Sequence, residues 1–257
     1  METSRSAGGA AQLKGWALLK GLRPAPLELG RLQRLWDAAP DWLLQPGNLE
    51  ALMLELGLND EGLQELPPEL HPHCGPGLRV WQYPLQFAPY LRQLARLRVR
   101  SYLELGIRHG GSYVLTVELL RRFAPLDFSL GVDIIPCPSM ADYQLLNPRS
   151  EFACVNTQSP AFGALLERLG HVDLAFVDSH HEEGQCRREL EALHGRANMI
   201  ALHDVSNVGC PGVQRVWEEL RGMEQYTCFE FTEQYPGLGP YMGIGLAVKK
   251  ERLAEAA

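Results

Sequence analysis

The chain has 257 residues, 24 Lys and Arg against 31 Asp and Glu for a formal net charge of −7, and 46% hydrophobic and 21% charged residues. That much apolar sequence builds a large core and excludes disorder as the overall state. The acidic balance argues against a nucleic-acid partner, whose phosphates call for a basic face. No apolar run approaches the ~18 residues of a bilayer-spanning helix, and residues 16–19 are too short for a signal-peptide core. The six cysteines form no C-x-x-C pair. Reduced thiols, a cytoplasmic location and no membrane partner are therefore the expectation.

Residues 1–11 are small and polar and read as a frayed tail. Helical spacing of Leu29, Leu32, Leu35 and Trp36, then of Leu49, Leu52, Met53 and Leu56, predicts helices over 27–36 and 48–56. Prolines between Pro24 and Pro76 punctuate this half. Residues 1–80 thus form a helical extension, a lid or oligomerisation element, ahead of a main domain over 81–257. A homo-oligomer is left open. A further helix is predicted over 87–97, carrying Tyr90, Leu91, Leu94 and Leu97.

From Ser101 the pattern changes. Short apolar runs at 101–105, 128–132, 152–155, 172–177, 199–202, 228–231 and 244–248 read as strands, with helices at 112–123, 161–169, 183–193 and 213–220. Strand–helix alternation with non-alternating apolar strands predicts an α/β fold: a Rossmann-like, doubly wound, mostly parallel seven-stranded sheet. Tyr113, Trp217, Phe229 and Phe231 fall at core spacing, whereas Trp81, Tyr83 and Phe87 precede the domain as candidate walls of a substrate pocket.

In such a sheet ligands bind outside the carboxyl ends of the strands. The first strand runs into Gly106-Ile107-Arg108-His109-Gly110-Gly111-Ser112. This loop lets a ligand approach the backbone but has neither the G-x-G-x-x-G spacing of dinucleotide enzymes nor the G-K-[ST] of a phosphate loop. Glu104 at the strand end would repel a pyrophosphate and suits a cationic ammonium instead. Asp133, ending the second strand, suits the two hydroxyls of a ribose. An amino acid joined to an adenosine is S-adenosylmethionine.

Three blocks carry a resemblance. Glu104-Leu105-Gly106-x-x-x-Gly110-x-Ser112 resembles the first motif of class I S-adenosylmethionine-dependent methyltransferases in their catechol O-methyltransferase-like branch. Asp173-Leu174-Ala175-Phe176-Val177-Asp178-x-x-His181 and Leu202-His203-Asp204-Val205 resemble blocks of a bacterial subgroup of cephalosporin hydroxylase-like proteins and macrolide-sugar O-methyltransferases. The likeness spans residues 80–248. It implies a last strand that runs antiparallel, and O-methylation of a hydroxyl on a small, sugar-type or secondary-metabolite substrate. It places Gly106, Gly110 and Ser112 at the methionine end of the cofactor. Arg108 is counted with that loop although the resemblance assigns it no role, and Gln158 stands in the 156–159 segment expected near adenine. His181 matches the general base. Asp178, which also borders the cofactor, joins His203 and Asp204 at the position where relatives hold Mg²⁺ or Mn²⁺. There the chain departs from the pattern, with an imidazole in place of one carboxylate. Two other readings are kept: a non-catalytic cofactor-binding relative, and a nicotinamide oxidoreductase, which the glycine spacing disfavours.

Overall fold

A computed structural model describes residues 25–256. The polar start of the chain and the run at 16–19 lie outside the described residues. Helix α1 (Leu32–Asp37) follows a 3₁₀ turn at Leu29–Arg31, so the helix expected over 27–36 is shorter. A one-turn α2 (Pro40–Leu43) has Pro at its first position, where no N–H is needed. Then come α3 (Asn48–Leu56), a 3₁₀ segment at Pro68–His73, and α4 (Pro84–Leu97), again opened by a proline.

The remainder alternates: β1 (Ser101–Leu105), α5 (Gly111–Leu120), β2 (Phe128–Asp133), α6 (Ser139–Leu146), β3 (Ser150–Cys154), α7 (Pro160–Leu169), β4 (Val172–Val177), α8 (Glu183–Leu193), β5 (Ala197–His203), α9 (Pro211–Arg221), β6 (Tyr226–Phe231), β7 (Ile244–Lys249) and α10 (Lys250–Ala256). Helix α6 was not anticipated. Met140 and Tyr143 bury one narrow side, but Leu145 and Leu146 face solvent, so the apolar residues do not follow a helical stripe.

The sheet order is β3-β2-β1-β4-β5-β7-β6. Strands β1 to β5 pair in parallel, while β7 runs antiparallel between β5 and β6. This is the expected Rossmann-like, doubly wound architecture. The chain leaves β1 for β2 and β3 on one side, then returns for β4 and β5 on the other, which puts the switch point between the ends of β1 and β4.

Each strand face has its own core. Leu103 and Leu105 pack with Val132, Val177, Phe162 and Trp217 beneath α7, α8 and α9. Tyr102 and Phe176 point the other way, into a cluster that also contains Leu32, Leu49, Met53, Tyr90 and Val114. The N-terminal helices therefore share one continuous core with the sheet. Period-two alternation along β1 puts Glu104 on the same face as Tyr102, and the carboxyl is 1% exposed. Among the described residues no helix is long and apolar enough to cross a membrane. None of the six cysteines is in a disulfide.

Candidate functional site

A cavity of about 870 Å³ opens at the carboxyl ends of β1, β2, β4 and β5, within the ~300–1,000 Å³ typical of small-molecule sites. Glu104, Gly106, Arg108, Ser112, Asp133, Gln158, Asp178, His181, His203 and Asp204 all line it. Gly110 stands behind the wall as the N-cap of α5. Helix α5 begins at Gly111, one residue before the helix predicted over 112–123, and Ser112 makes no cap: its Oγ accepts the backbone N–H of Trp81 at 3.2 Å. Ser159 likewise makes no side-chain cap on α7; its hydroxyl donates to the Asn156 carbonyl.

Two glycines let the walls approach. A Cβ on Gly106, whose φ is 91°, would stand 2.0 Å from the Asp178 carbonyl oxygen. Only glycine brings the end of β1 that close to the end of β4. A Cβ on Gly111 would stand 1.8 Å from the Leu78 carbonyl oxygen, so α5 can start only against the N-terminal segment. Two further site residues, Arg108 (φ 50°) and Asp204 (φ 62°), hold left-handed backbone without being glycine, a strain of order ~1–3 kcal/mol each that clusters at functional sites.

Asp133 accepts the backbone N–H of Arg108 at 2.7 Å and that of Ile135 at 2.9 Å. Each carboxylate oxygen keeps a second lone pair for a ligand hydroxyl. Arg108 turns its guanidinium to Glu61, at 3.0 Å from both carboxylate oxygens. Glu61 also meets His109 Nε2 at 3.0 Å. Because His109 Nδ1 accepts the Ala25 N–H at 2.9 Å, its proton resides on Nε2 and is donated to Glu61. The extension thereby braces the glycine loop through Glu61, a residue no local pattern singles out.

Burial pushes the Glu104 carboxyl up to about 8, despite the Tyr102 hydroxyl that donates to it. It is neutral at pH 7 until a cation arrives. Since its ordinary value is 4.5, the folded protein holds more protons than the unfolded chain between about pH 4.5 and 8, and its stability falls as pH rises through that window. For ligand-free, chelator-treated protein the urea midpoint is expected to drop between pH 5 and 8. Glu104→Gln should flatten the part of that decline below about pH 6.5, above which the raised imidazoles of His181 and His203 add a fall of the same sign; an unchanged slope there in the variant would remove Glu104 as its source.

The same cavity is lined by a cluster of two carboxylates and two imidazoles. Asp178, His181, His203 and Asp204 each offer a ligand atom, all within 4.8 Å of one another. His181 Nδ1 lies 2.8 Å from Asp204 Oδ2, and its Nε2 lies 3.5 Å from Asp178 Oδ1. His203 Nδ1 is 3.0 Å from Asp178 Oδ1, yet neither nitrogen of this buried ring has a partner of hydrogen-bonding geometry. Gln82 Nε2 donates to Asp178 at 3.3 Å, and Cys210 Sγ reaches Asp204 at 3.6 Å. Neither was foreseen. Burial opposes charge on every member, but the opposite charges win. Both carboxyls are held below their usual range, His203 is raised well above 6.5, and His181 is raised to about 10. The ordinary imidazole value near 6.5 expected for His181 is thus displaced by its two aspartates, and without a cation the ring is protonated at pH 7. The donor set, its proximity and the orphaned His203 nitrogens fit a divalent ion.

The other walls come from loops. Trp81, Tyr241 and Met242 line the cavity. Tyr83 and Phe87 do not: both are fully buried, Tyr83 against Tyr235 and Tyr241, and Phe87 against Tyr90. His180 pairs with Glu182 at 3.3 Å on the exposed side of the turn.

No protein-family model matches this sequence, and no curated protein matches it. Solved structures do. An O-methyltransferase from Bacillus cereus in complex with SAH superposes with a TM-score of 0.52 at 15% identity, covering 82% of this chain and 95% of that one. A putative O-methyltransferase from Klebsiella pneumoniae gives a TM-score of 0.48 at 20% identity, over 85% and 99% of the two chains. The fold is that of a methyltransferase.

Proposed function

We propose that this protein is an S-adenosylmethionine-dependent O-methyltransferase acting on a small hydroxylated molecule. The observation that carries the reading is that one cavity is lined by Glu104 and Asp133 beside a glycine turn and also by His181, set between Asp178 and Asp204. A solved structure of the same fold, which holds SAH, supports the choice of cofactor.

Glu104 faces the ammonium of the methionine end, and Asp133 the ribose hydroxyls. Asp178 closes the sulfonium side, its backbone N–H donating to the Leu105 carbonyl at 2.8 Å. Trp81, Tyr241 and Met242 give the acceptor an apolar wall that excludes water. The methyl group passes in line: the oxygen–carbon bond forms, the carbon–sulfur bond breaks with its electron pair going to sulfur, and the hydroxyl proton goes to His181. Its side chain is 41% exposed, against 7% for His203 and 2% for Asp204, so it alone of the three is open to the acceptor. Asp178, His203 and Asp204 would hold a divalent cation, which would neutralise the charge that raises His181 and acidify a bound hydroxyl. With an imidazole among the three donors, Mn²⁺ suits the set better than Mg²⁺.

S-Adenosylmethionine at 100 times its Kd is expected to stabilise the protein by about 2.7 kcal/mol, raising Tm by about 5–10 °C, whereas NAD should leave Tm unchanged. Asp133→Ala should weaken binding by tenfold or more, about 1.4 kcal/mol. Calorimetric titration reads both, and full affinity in the variant would remove Asp133 from the ribose site. Transfer of labelled methyl to pooled hydroxylated metabolites then separates an enzyme from a non-catalytic binder.

A further inference from the structure

We propose that Glu189 is a positioning residue for the adenine end of the cavity: through Gln185 it orients Gln158 so that a carbonyl oxygen, not an amide N–H, meets the 6-amino group of the purine. The inference rests on the cofactor reading above and deepens it.

Glu189 lies on α8, one turn after Gln185, and is 2% exposed. It is outside the cavity wall, but every group that bonds it is in that wall: Thr157, Ser179 and Gln185. Thr157 Oγ1 donates to Glu189 Oε1 at 2.5 Å, Ser179 Oγ donates to both oxygens at 2.7 Å, and Gln185 Nε2 donates at 3.0 Å.

A carboxylate can only accept, which sets the direction of everything attached to it. The two hydroxyls must spend their protons on Glu189, leaving their lone pairs to the Gln185 amide at 3.1 and 3.4 Å. The Gln185 NH₂ is therefore committed inward, and its Oε1 faces outward. That oxygen accepts Gln158 Nε2 at 2.7 Å. With one N–H of its amide held by Gln185, Gln158 keeps its nitrogen turned toward α8, and its Oε1, at the other corner of the amide plane, is left for the cavity. Ile134, Ile135 and Val155 supply apolar lining beside it, suited to a flat ring.

An outward acceptor satisfies the 6-amino group of adenine and opposes the 6-oxo group of hypoxanthine. Each hydroxyl and amide in the relay can reverse; Glu189 is the one member that cannot. Replacing it by glutamine would let the whole set turn over, because glutamine both donates and accepts.

The test is calorimetric titration of the full chain with S-adenosylhomocysteine and with its deaminated analogue, S-inosylhomocysteine. The parent protein is expected to bind the adenosyl ligand about tenfold tighter or more, the usual consequence of leaving a polar group mismatched. Glu189→Gln should narrow that ratio to within about threefold, chiefly by improving S-inosylhomocysteine binding. Gln185→Met, which severs the relay and leaves Glu189 with two donors, should narrow it as well, and it decides the matter if Glu189→Gln does not fold. A merely structural role would weaken both ligands together and leave the ratio intact. Folded variants that keep the parent ratio, or a parent that does not discriminate, would overturn the relay. Failure of both ligands to bind the parent would instead overturn the cofactor reading beneath it.

Discussion

Replacing His181 by alanine is expected to lower kcat by about 10²–10⁴-fold, the usual contribution of a general base, with cofactor affinity nearly unchanged. The geometry adds a second arm. His181 is both the member of the Asp178–His203–Asp204 cluster most open to the cavity and close enough to serve as a fourth ligand. If it is the base, the divalent-ion affinity of His181→Ala stays near that of the parent while kcat collapses. If it is a ligand, that affinity falls in step with activity. His180→Ala should cost little in either assay, because His180 pairs with Glu182 and is not among the four clustered ligand groups. Near-full activity in His181→Ala would pass the role to hydroxyl ionisation at the carboxylates. The pH profile should differ from that of a free imidazole. With two aspartates raising His181 to about 10, chelator-treated enzyme has no base at neutral pH. A rate that survives chelation with an acid limb near pH 6.5 would contradict this picture.

Chelation is accordingly expected to abolish methyl transfer, with Mn²⁺ restoring it at lower concentration than Mg²⁺. His203 is the reason: imidazole is a poor ligand for a hard ion and a good one for first-row transition ions. His203→Asp should move the preference toward Mg²⁺ by at least about tenfold, or 1.4 kcal/mol, read as the ratio of the two dissociation constants without recourse to turnover. Ion binding should also release protons: His203 has to be neutral to ligate, and the ion's charge lowers the proton affinity of His181 beside it. Titration in buffers of different ionisation enthalpy counts them. Full activity in excess chelator, with no ion bound at Asp178, would make the cluster a structural ion-pair network.

Much of this molecule is legible from local pattern. The central strands β1, β4 and β5 are buried on both faces, so their apolar runs stand out without any partner being known. The rule that ligands sit at strand ends then picks out Glu104, Asp133, Asp178 and Asp204 from position alone. The glycine loop is equally visible, because its spacing excludes the two common phosphate-binding patterns.

What the chain alone leaves open belongs to contacts between distant residues. Helix α6 escapes because two of its leucines are exposed, and the antiparallel β7 enters between β5 and β6 by pairing that has no local signature. Glu61 looks like one of many acids in a polar turn, yet its carboxylate joins Arg108 and His109, more than 40 positions away. Glu189 resembles a solvated face of an amphipathic helix until Thr157 and Ser179 are brought onto it. The protonation of His181 is likewise absent from its residue type: burial would lower its proton affinity, and only two carboxylates converging from the ends of β4 and β5 raise it. Sequence periodicity thus determined the layers and the edge at which chemistry is placed. The tertiary fold decided which charges face one another, because the strength and sign of a Coulombic interaction depend on distances of a few ångströms that chain position does not encode.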